Sequence, residues 1–405
     1  MEDDSPRRKA PSRLGTEFAT VTLDRRRFLI LLGGAAAYRA LQPHEAWARR
    51  MGRSGAMLQP WTLSEVLPGG ALEQARALIG ASVLAPSFWN AQPWRFEVEG
   101  PDVRLTLDPT RVLTACDPDQ RFAQISLGCA LENMLIAARA WGLQPTAQYL
   151  PWGLTSRPGV PLVVARVSWA ASDQRRDRVL FHALTERRTN PRAFDGRAIT
   201  MQNRAQLLAQ AGDDVRVHWI EDRAEIARVA DLVEEASFAT FRDRRAQAER
   251  VRWMRTSDDD ASRRGDGVTA ERLGLAGPTR WMAGRALRPG SRFFEWGSKG
   301  AARDTRDAVR SSGALALVTV PRPSDAGWVV AGQTYERMAL KAATLGIAQQ
   351  PLSAPIESER HRALLAKRFG ATGEDPVLLV RLGHAKPLDP SPRRGVAMVS
   401  TYRNS

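Results

Sequence analysis

Two stretches of the chain carry the same pattern of small, apolar and polar positions. Gly128-Cys-Ala-Leu-Glu132-Asn-Met134-Leu-Ile-Ala-Ala138-Arg-Ala-Trp-Gly142-Leu143 returns as Gly332-Gln-Thr-Tyr-Glu336-Arg-Met338-Ala-Leu-Lys-Ala342-Ala-Thr-Leu-Gly346-Ile347. Gly, Glu, Met, Ala and Gly align without a gap. The spacing predicts a long helix in each copy, closed by a glycine just past its end. A β-branched run follows each copy, Pro161 to Val167 and Pro376 to Leu382, and both read as buried strands. Helix then strand, twice, predicts an α+β fold of two related halves. The small residues Gly128, Ala130, Ala137 and Ala138 suit close packing of the two helices, which makes an intramolecular pseudo-dimer. Between the halves a helix is expected over Asp177 to Arg187. From Arg242 to Ala302 the chain reads as irregular, rich in Arg, Asp and Gly, with Trp253, Trp281 and Trp296 as isolated anchors. Such a segment is a linker or a lid that packs on something.

Composition fits this organisation. The 405 residues are ample for two units, and 43% hydrophobic with 25% charged residues is ordinary for a globular chain. The net charge is +15, nearly all from arginine. No basic helix stripe, zinc-finger spacing or aromatic RNA-binding signature accompanies it, so nucleic acid is not expected as a partner. An anionic ligand could use a few of the arginines. Cys116 and Cys129 lack C-x-x-C spacing, so no metal site is expected. They could pair if the protein is exported; otherwise Cys129 is a small buried helix residue. His182, His218, His361 and His384 are scattered without metal-ligand spacing, and no P-loop or G-x-G-x-x-G follows the leader.

The first 48 residues read as an address. Arg25-Arg26-Arg27-Phe28-Leu29 opens an apolar stretch to Leu41, and Ala46-Trp47-Ala48 ends it. This resembles a twin-arginine export signal with cleavage after Ala48. The expected boundaries are 1–48 for the signal, 49–172 for the first half, and 173–405 for the second half with its lid-like insert at about 242–302. The resemblance implies the twin-arginine export machinery as a partner, a periplasmic location and no stable membrane span in the mature chain.

Three clusters carry the candidate chemistry. Leu84-Ala-Pro-Ser-Phe-Trp-Asn-Ala-Gln-Pro-Trp-Arg-Phe96 sets Ser87, Asn90 and Gln92 among aromatic rings and prolines. Amides in such company either hydrogen-bond a ligand's polar edge or bond nearby backbone. Arg187-Arg188-Thr189-Asn190 and Pro392-Arg393-Arg394 offer guanidinium forks and a hydroxyl suited to a phosphate.

Together these motifs resemble the nitroreductase-like flavoprotein family. "APSFWNAQPWRF" is similar to that family's A-P-S-x-x-N-x-Q-P-W-x-F, and "ERRTNPRAF" to its R-R-S-x-R-x-F, with Thr189 for Ser and one residue inserted. "TLGIAQQPLSAPIE" is similar to the segment whose backbone faces the flavin ring, and the final "PRR" to a basic phosphate contact. The order departs from the simple family, because A-P-S precedes the arginine motif. This fits a fused dimer, and the long insert resembles the Acg-like subfamily. The resemblance implies a nitroreductase-like fold, FMN as cofactor, one per chain, and contacts from Pro86, Ser87, Asn90, Gln92, Arg187, Arg188, Thr189, Asn190, Pro351, Leu352, Ser353, Arg393 and Arg394. No side chain is expected to act as acid, base or nucleophile, since flavin N5 would carry the chemistry. The implied activity is transfer of hydride or electrons to an electron-poor small molecule. The alternative is a non-catalytic FMN-binding protein closed by its lid.

Overall fold

The computed structural model describes residues 60–151, 162–173, 178–255, 257–269, 272, 290–291, 294–322, 324 and 326–403. The export signal expected over residues 1–48 lies outside them. The fold below is that of the unit Ser54–Ser405.

The molecule is mixed α+β. Its first sheet runs β11-β1-β2-β4-β3, from β1 (Trp94–Glu99), β2 (Asp102–Leu107), β3 (Leu143–Tyr149), β4 (Val163–Ala171) and β11 (Ser400–Arg403). The second runs β5-β8-β10-β9, from β5 (Arg216–Ile220), β8 (Ala314–Val320), β9 (Ala348–Leu352) and β10 (Asp375–Gly383). Every pairing in these sheets is antiparallel except one. The C-terminal β11 joins β1 in parallel, Phe96 opposite Ser400. The end of the second half thereby completes the first half's sheet.

The repeat forms two central helices, α2 (Arg121–Ala140) and α9 (Gly327–Thr344). An earlier helix, α1 (Ala71–Ser82), packs on α2. In α2 every residue except Arg139 is buried, as a helix with neighbours on all sides must be. Asp117 starts it by accepting hydrogen bonds from the Phe122 and Ala123 amides at 3.0 and 2.8 Å. Gly142 and Gly346 close the two helices with φ of 81° and 65°, the left-handed position foreseen for them. The two strands expected after the repeats form as β4 and β10, with β10 buried along nearly its whole length.

The two helices cross backbone to backbone. A Cβ on Gly128 would overlap the Val329 carbonyl, and a Cβ on Gly332 would overlap the Ile125 carbonyl. The same shift of sequence that aligns Gly128 with Gly332 aligns Ile125 with Val329. The contact is therefore reciprocal, as a two-fold axis requires.

Two local expectations are corrected. The helix foreseen over Asp177–Arg187 is only the short α3, Val179–Ala183, because Glu186 and Arg187 turn back to bond the Ala183 carbonyl. The segment 242–302 is largely ordered into helices where described: α6 (Arg244–Trp253), α7 (Asp258–Arg264) and the first half of α8 (Phe294–Arg310). Side-chain caps account for two of these starts. Asp243 accepts from the Arg245 and Ala246 amides, and Ser257 from the Asp260 amide. A short parallel pair, β6 (Met254–Arg255) with β7 (Val268–Thr269), ties the insert's described part together.

Gly128→Ala and Gly332→Ala test the crossing. Alanine is the better helix former, yet overpacking at a backbone contact costs about 1–3 kcal/mol. Each variant is expected to lower the denaturant midpoint. Midpoints at or above wild type would show that the helices can separate at little cost.

Candidate functional site

The first-half loop reaches the cavity through an unusual backbone. Trp89, Asn90 and Gln92 all have φ near +50°, at 52°, 51° and 52°. Non-glycine residues held there cost about 1–3 kcal/mol each and persist only where surroundings fix them. Here the surroundings do. The Ser87 hydroxyl accepts from the Gln92 amide at 2.9 Å. The Asn90 side chain donates to the Gly267 carbonyl at 3.0 Å, and that of Gln92 to the Gly265 carbonyl at 2.7 Å. The Gln92 side-chain oxygen accepts from the Arg394 amide at 2.9 Å. The two amides that the sequence offered to a ligand are thus bonded to backbone of the insert and the C-terminal segment. Gln92 is turned away from the cavity, while Asn90 keeps a place on its wall.

The cavity lies beside the α2–α9 crossing and measures about 290 Å3, near the small end of the ligand-pocket range, roughly 300–1,000 Å3. Pro86, Ser87 and Asn90 line it from the first half. Arg187, Arg188, Thr189, Pro351, Ser353 and Arg393 line it from the second. Four expected residues do not line it. Gln92 and Arg394 bond each other behind the wall, Leu352 pairs with Leu379 inside the sheet, and Asn190 donates to the Lys386 carbonyl at 2.9 Å. The apolar side is made by Phe88, Phe122, Ile125 and Leu378, with the Phe88 and Phe122 rings 4.7 Å apart. Gly267, Val268 and Arg272 of the insert form one wall.

Several contributors carried no motif. Trp61 stacks against two site arginines, 4.5 Å from Arg188 and 5.1 Å from Arg393. Gln349 joins the arginine loop to β9: its backbone accepts from the Asn190 amide and its side chain donates to the Arg188 carbonyl. Tyr335 donates to that same side chain at 2.8 Å. Arg381 is fully buried and donates to the Asn190 and Arg192 carbonyls at 2.9 and 2.8 Å, with its guanidinium 3.9 Å from the Phe194 ring. No spacing rule marks such residues, because their partners are distant in sequence.

The charge at the cavity is strongly positive. Arg393 donates to Asn90 Oδ1 at 2.9 Å and to the Leu84 carbonyl at 3.2 Å, and its Nε has no hydrogen-bond partner among the described residues. Arg187 donates to the same Leu84 carbonyl at 3.3 Å and leaves Nε and one terminal nitrogen without a hydrogen-bond partner. Its Nε sits 3.3 Å from Glu336 Oε1, an ion pair without hydrogen-bond alignment. Burial, with Arg187 next, pushes Arg393 well below the usual guanidinium range, and burial and Arg187 push Arg188 down to about 10. Arginine stays protonated all the same. The crowding is therefore a standing cost that an anion would relieve.

At the equivalent place in the other copy of the repeat, the side chains bond one another. Glu132 accepts from Gln333 and Arg337, each at 2.9 Å, and Tyr149 donates to Gln333 at 2.9 Å. Cys129 holds the place of Gln333 on the cavity side, and its smaller side chain lines the open space. Both cysteines are free and buried, so they do not pair.

Comparison with known proteins follows this geometry. No protein-family model matches the chain. A Mycobacterium tuberculosis protein named "Putative NAD(P)H nitroreductase Rv3131" is 28% identical over 333 residues, 81% of this chain and 91% of that protein. Another from that organism, "Putative NAD(P)H nitroreductase acg", is 32% identical over 158 residues, 37% of this chain and 45% of that protein. The chain is similar in sequence to these two named nitroreductases. Among solved structures, the FMN-dependent nitroreductase NfnB from Mycobacterium smegmatis covers 56% of this chain at 14% identity, with 99% of its own length and a TM-score of 0.36. A score that low adds nothing to the assignment of the fold.

The wall supplied by the insert hangs on Asp266, which pairs with Arg111 and, at 2.5 Å, with Arg255. Breaking a buried pair from one side costs about 3–5 kcal/mol. Asp266→Ala is expected to make residues 255–269 the first site of limited proteolysis. An unchanged cleavage pattern would show that the insert is held elsewhere.

Proposed function

We propose that this chain is an exported FMN-dependent oxidoreductase that passes hydride or electrons to an electron-poor small molecule. The observation that carries the reading is the set of buried, hydrogen-bond-deficient guanidinium groups of Arg187 and Arg393 facing a cavity with an apolar wall. A phosphate satisfies the first feature and a flat ring system the second. The residues present fit FMN. Arg187, Arg188 and Arg393 would hold the phosphate, with Thr189 beside them. Phe88, Phe122 and Pro351 would wall the ring. Bound FMN would supply reversible hydride acceptance and donation, which no side chain offers. The protein's own task is to bind, orient and exclude water.

The names of the relatives, NAD(P)H nitroreductases, support this reaction class. The twin-arginine leader supports export, and an exported enzyme would draw electrons from a quinol or a partner protein instead of cytoplasmic NAD(P)H. One FMN per chain is expected, because at the equivalent place Gln333 and Arg337 bond Glu132 and Tyr149 bonds Gln333, and the arginine motif occurs only once.

The visible absorption spectrum of the purified chain tests the reading. Flavin near one per chain is expected, and bleaching by an added reductant without oxygen would make it redox-active. A colourless protein that takes up no added FMN would overturn it. Arg393→Ala is expected to weaken FMN by about tenfold to a hundredfold, since a hydrogen bond to a charged group contributes about 1.5–3 kcal/mol. Binding of riboflavin, which lacks the phosphate, should change little.

A further inference from the structure

The central helices carry one carboxylate each at equivalent positions, Glu132 and Glu336, and the two are answered differently. Glu132 finds its cation on the facing helix, where Arg337 donates to it at 2.9 Å. The equivalent of Arg337 on the other helix is Asn133, whose side-chain amide, assigned with its nitrogen toward Glu336, donates to Oε1 at 3.0 Å. Asparagine brings no charge. Glu336 is therefore left to pair with Arg187, whose guanidinium also faces the cavity. Glu336 is fully buried, and its second oxygen has no hydrogen-bond partner among the described residues.

We propose that Glu336 is a positioning residue that acts through Arg187, so that an anion entering the cavity is bound together with a proton taken up by Glu336. The proposal rests on the reading of the cavity as the FMN site. With the cavity empty of anion, the Glu336 carboxylate is the counter-charge of Arg187. A phosphate dianion on the other side of the same guanidinium competes for that charge. The carboxylate is then a buried anion facing another anion, and protonation relieves it. The proton comes from solvent and is returned when the anion leaves.

Charged and titratable groups face Glu336 from three elements. Arg187 comes from the loop after α3 and Arg393 from the C-terminal segment, each bringing a guanidinium group. From α2, Glu132 is held by two donors, and burial pushes the Cys129 thiol well above its ordinary range. On α9 itself, burial raises the Tyr335 phenol likewise. Burial outweighs the pull of Arg187 and Arg393 and pushes the Glu336 carboxyl up to about 7, in the range where an added anion changes its occupancy.

The sign follows from linkage: if binding takes up a proton, binding tightens as pH falls. FMN release on dilution of the purified flavin-loaded protein, followed by recovery of free-flavin fluorescence, gives the dissociation constant. Between pH 8.5 and pH 7 it is expected to fall by about three- to tenfold, one linked proton giving at most about tenfold per pH unit. This window lies above the second phosphate ionisation, near pH 6. Glu336→Gln removes the counter-charge and is expected to bind FMN more tightly than wild type at pH 8.5, with a flat profile. Glu132→Gln, equally buried, should keep the wild-type profile, and riboflavin binding should be independent of pH in all three. A wild-type slope in Glu336→Gln, or a loss of affinity at every pH, overturns the proposal while leaving the flavin reading intact. Absence of FMN binding by wild type at any pH overturns both. If Glu336→Gln does not fold, calorimetry of wild type at pH 7.5 in two buffers of different ionisation enthalpy decides. Proton uptake with FMN and none with riboflavin supports the proposal, and zero with both overturns it.

Discussion

The backbone contact of Gly128 with Val329 and of Gly332 with Ile125 is the constraint on which the rest depends. It brings α2 and α9 into backbone contact, and each helix carries its own sheet behind it. The cavity lies beside this crossing, so its walls come from both halves: Phe122, Ile125 and Cys129 from one helix, Tyr335 from the other. A side chain at either glycine would push the halves apart and open the site with them. The parallel pairing of β11 with β1 acts in the same direction. It draws the C-terminal segment across to the first half, which is how Arg393 reaches Asn90 and Leu84.

The second organising fact is the burial of positive charge. Several guanidinium groups are taken from water, at a cost of several kcal/mol each. Arg381 is compensated without an acid, by backbone carbonyls, the Gln350 side chain at 2.6 Å and the face of Phe194. Burial still pushes it down to about 9. Arg394 is compensated by the carbonyls of Gln92 and Trp94. Arg187 and Arg393 keep guanidinium nitrogens without a hydrogen-bond partner among the described residues, and these two line the cavity. The fold therefore uses some arginines to fix loops and leaves others on the wall of the cavity. That difference, more than the net charge of +15, is what the composition means.

The loop at residues 87–92 ties both themes together. Three left-handed residues in four positions make a stiff corner, stabilised by the insert on one side and the Pro392–Arg394 segment on the other. The insert is thus part of the site's architecture. Asp266 anchors it, and the backbone of Gly265 and Gly267 takes up the amides of Gln92 and Asn90.

The sequence by itself determined the elements that repeat and the residue types that gather. The two long helices, their closing glycines, β4 and β10 were legible because small-residue spacing, left-handed caps and β-branched runs are local properties. The arginine, proline and A-P-S clusters were legible as chemistry for the same reason. Only the tertiary structure decided how those groups are used. Asn90 and Gln92 could bond a ligand or backbone, and packing chose the backbone of a segment some 175 residues away. The insert reads as irregular from its composition, yet its caps and its contacts make helices of much of its described part. Trp61, Gln349 and Arg381 carry no motif because each acts across the fold. The contrast between Cys129 and Gln333, or between Asn133 and Arg337, is visible as letters in the repeat. That it leaves a cavity beside Cys129 and a bonded cluster around Glu132 is a property of volume and charge in three dimensions, which no one-dimensional pattern contains.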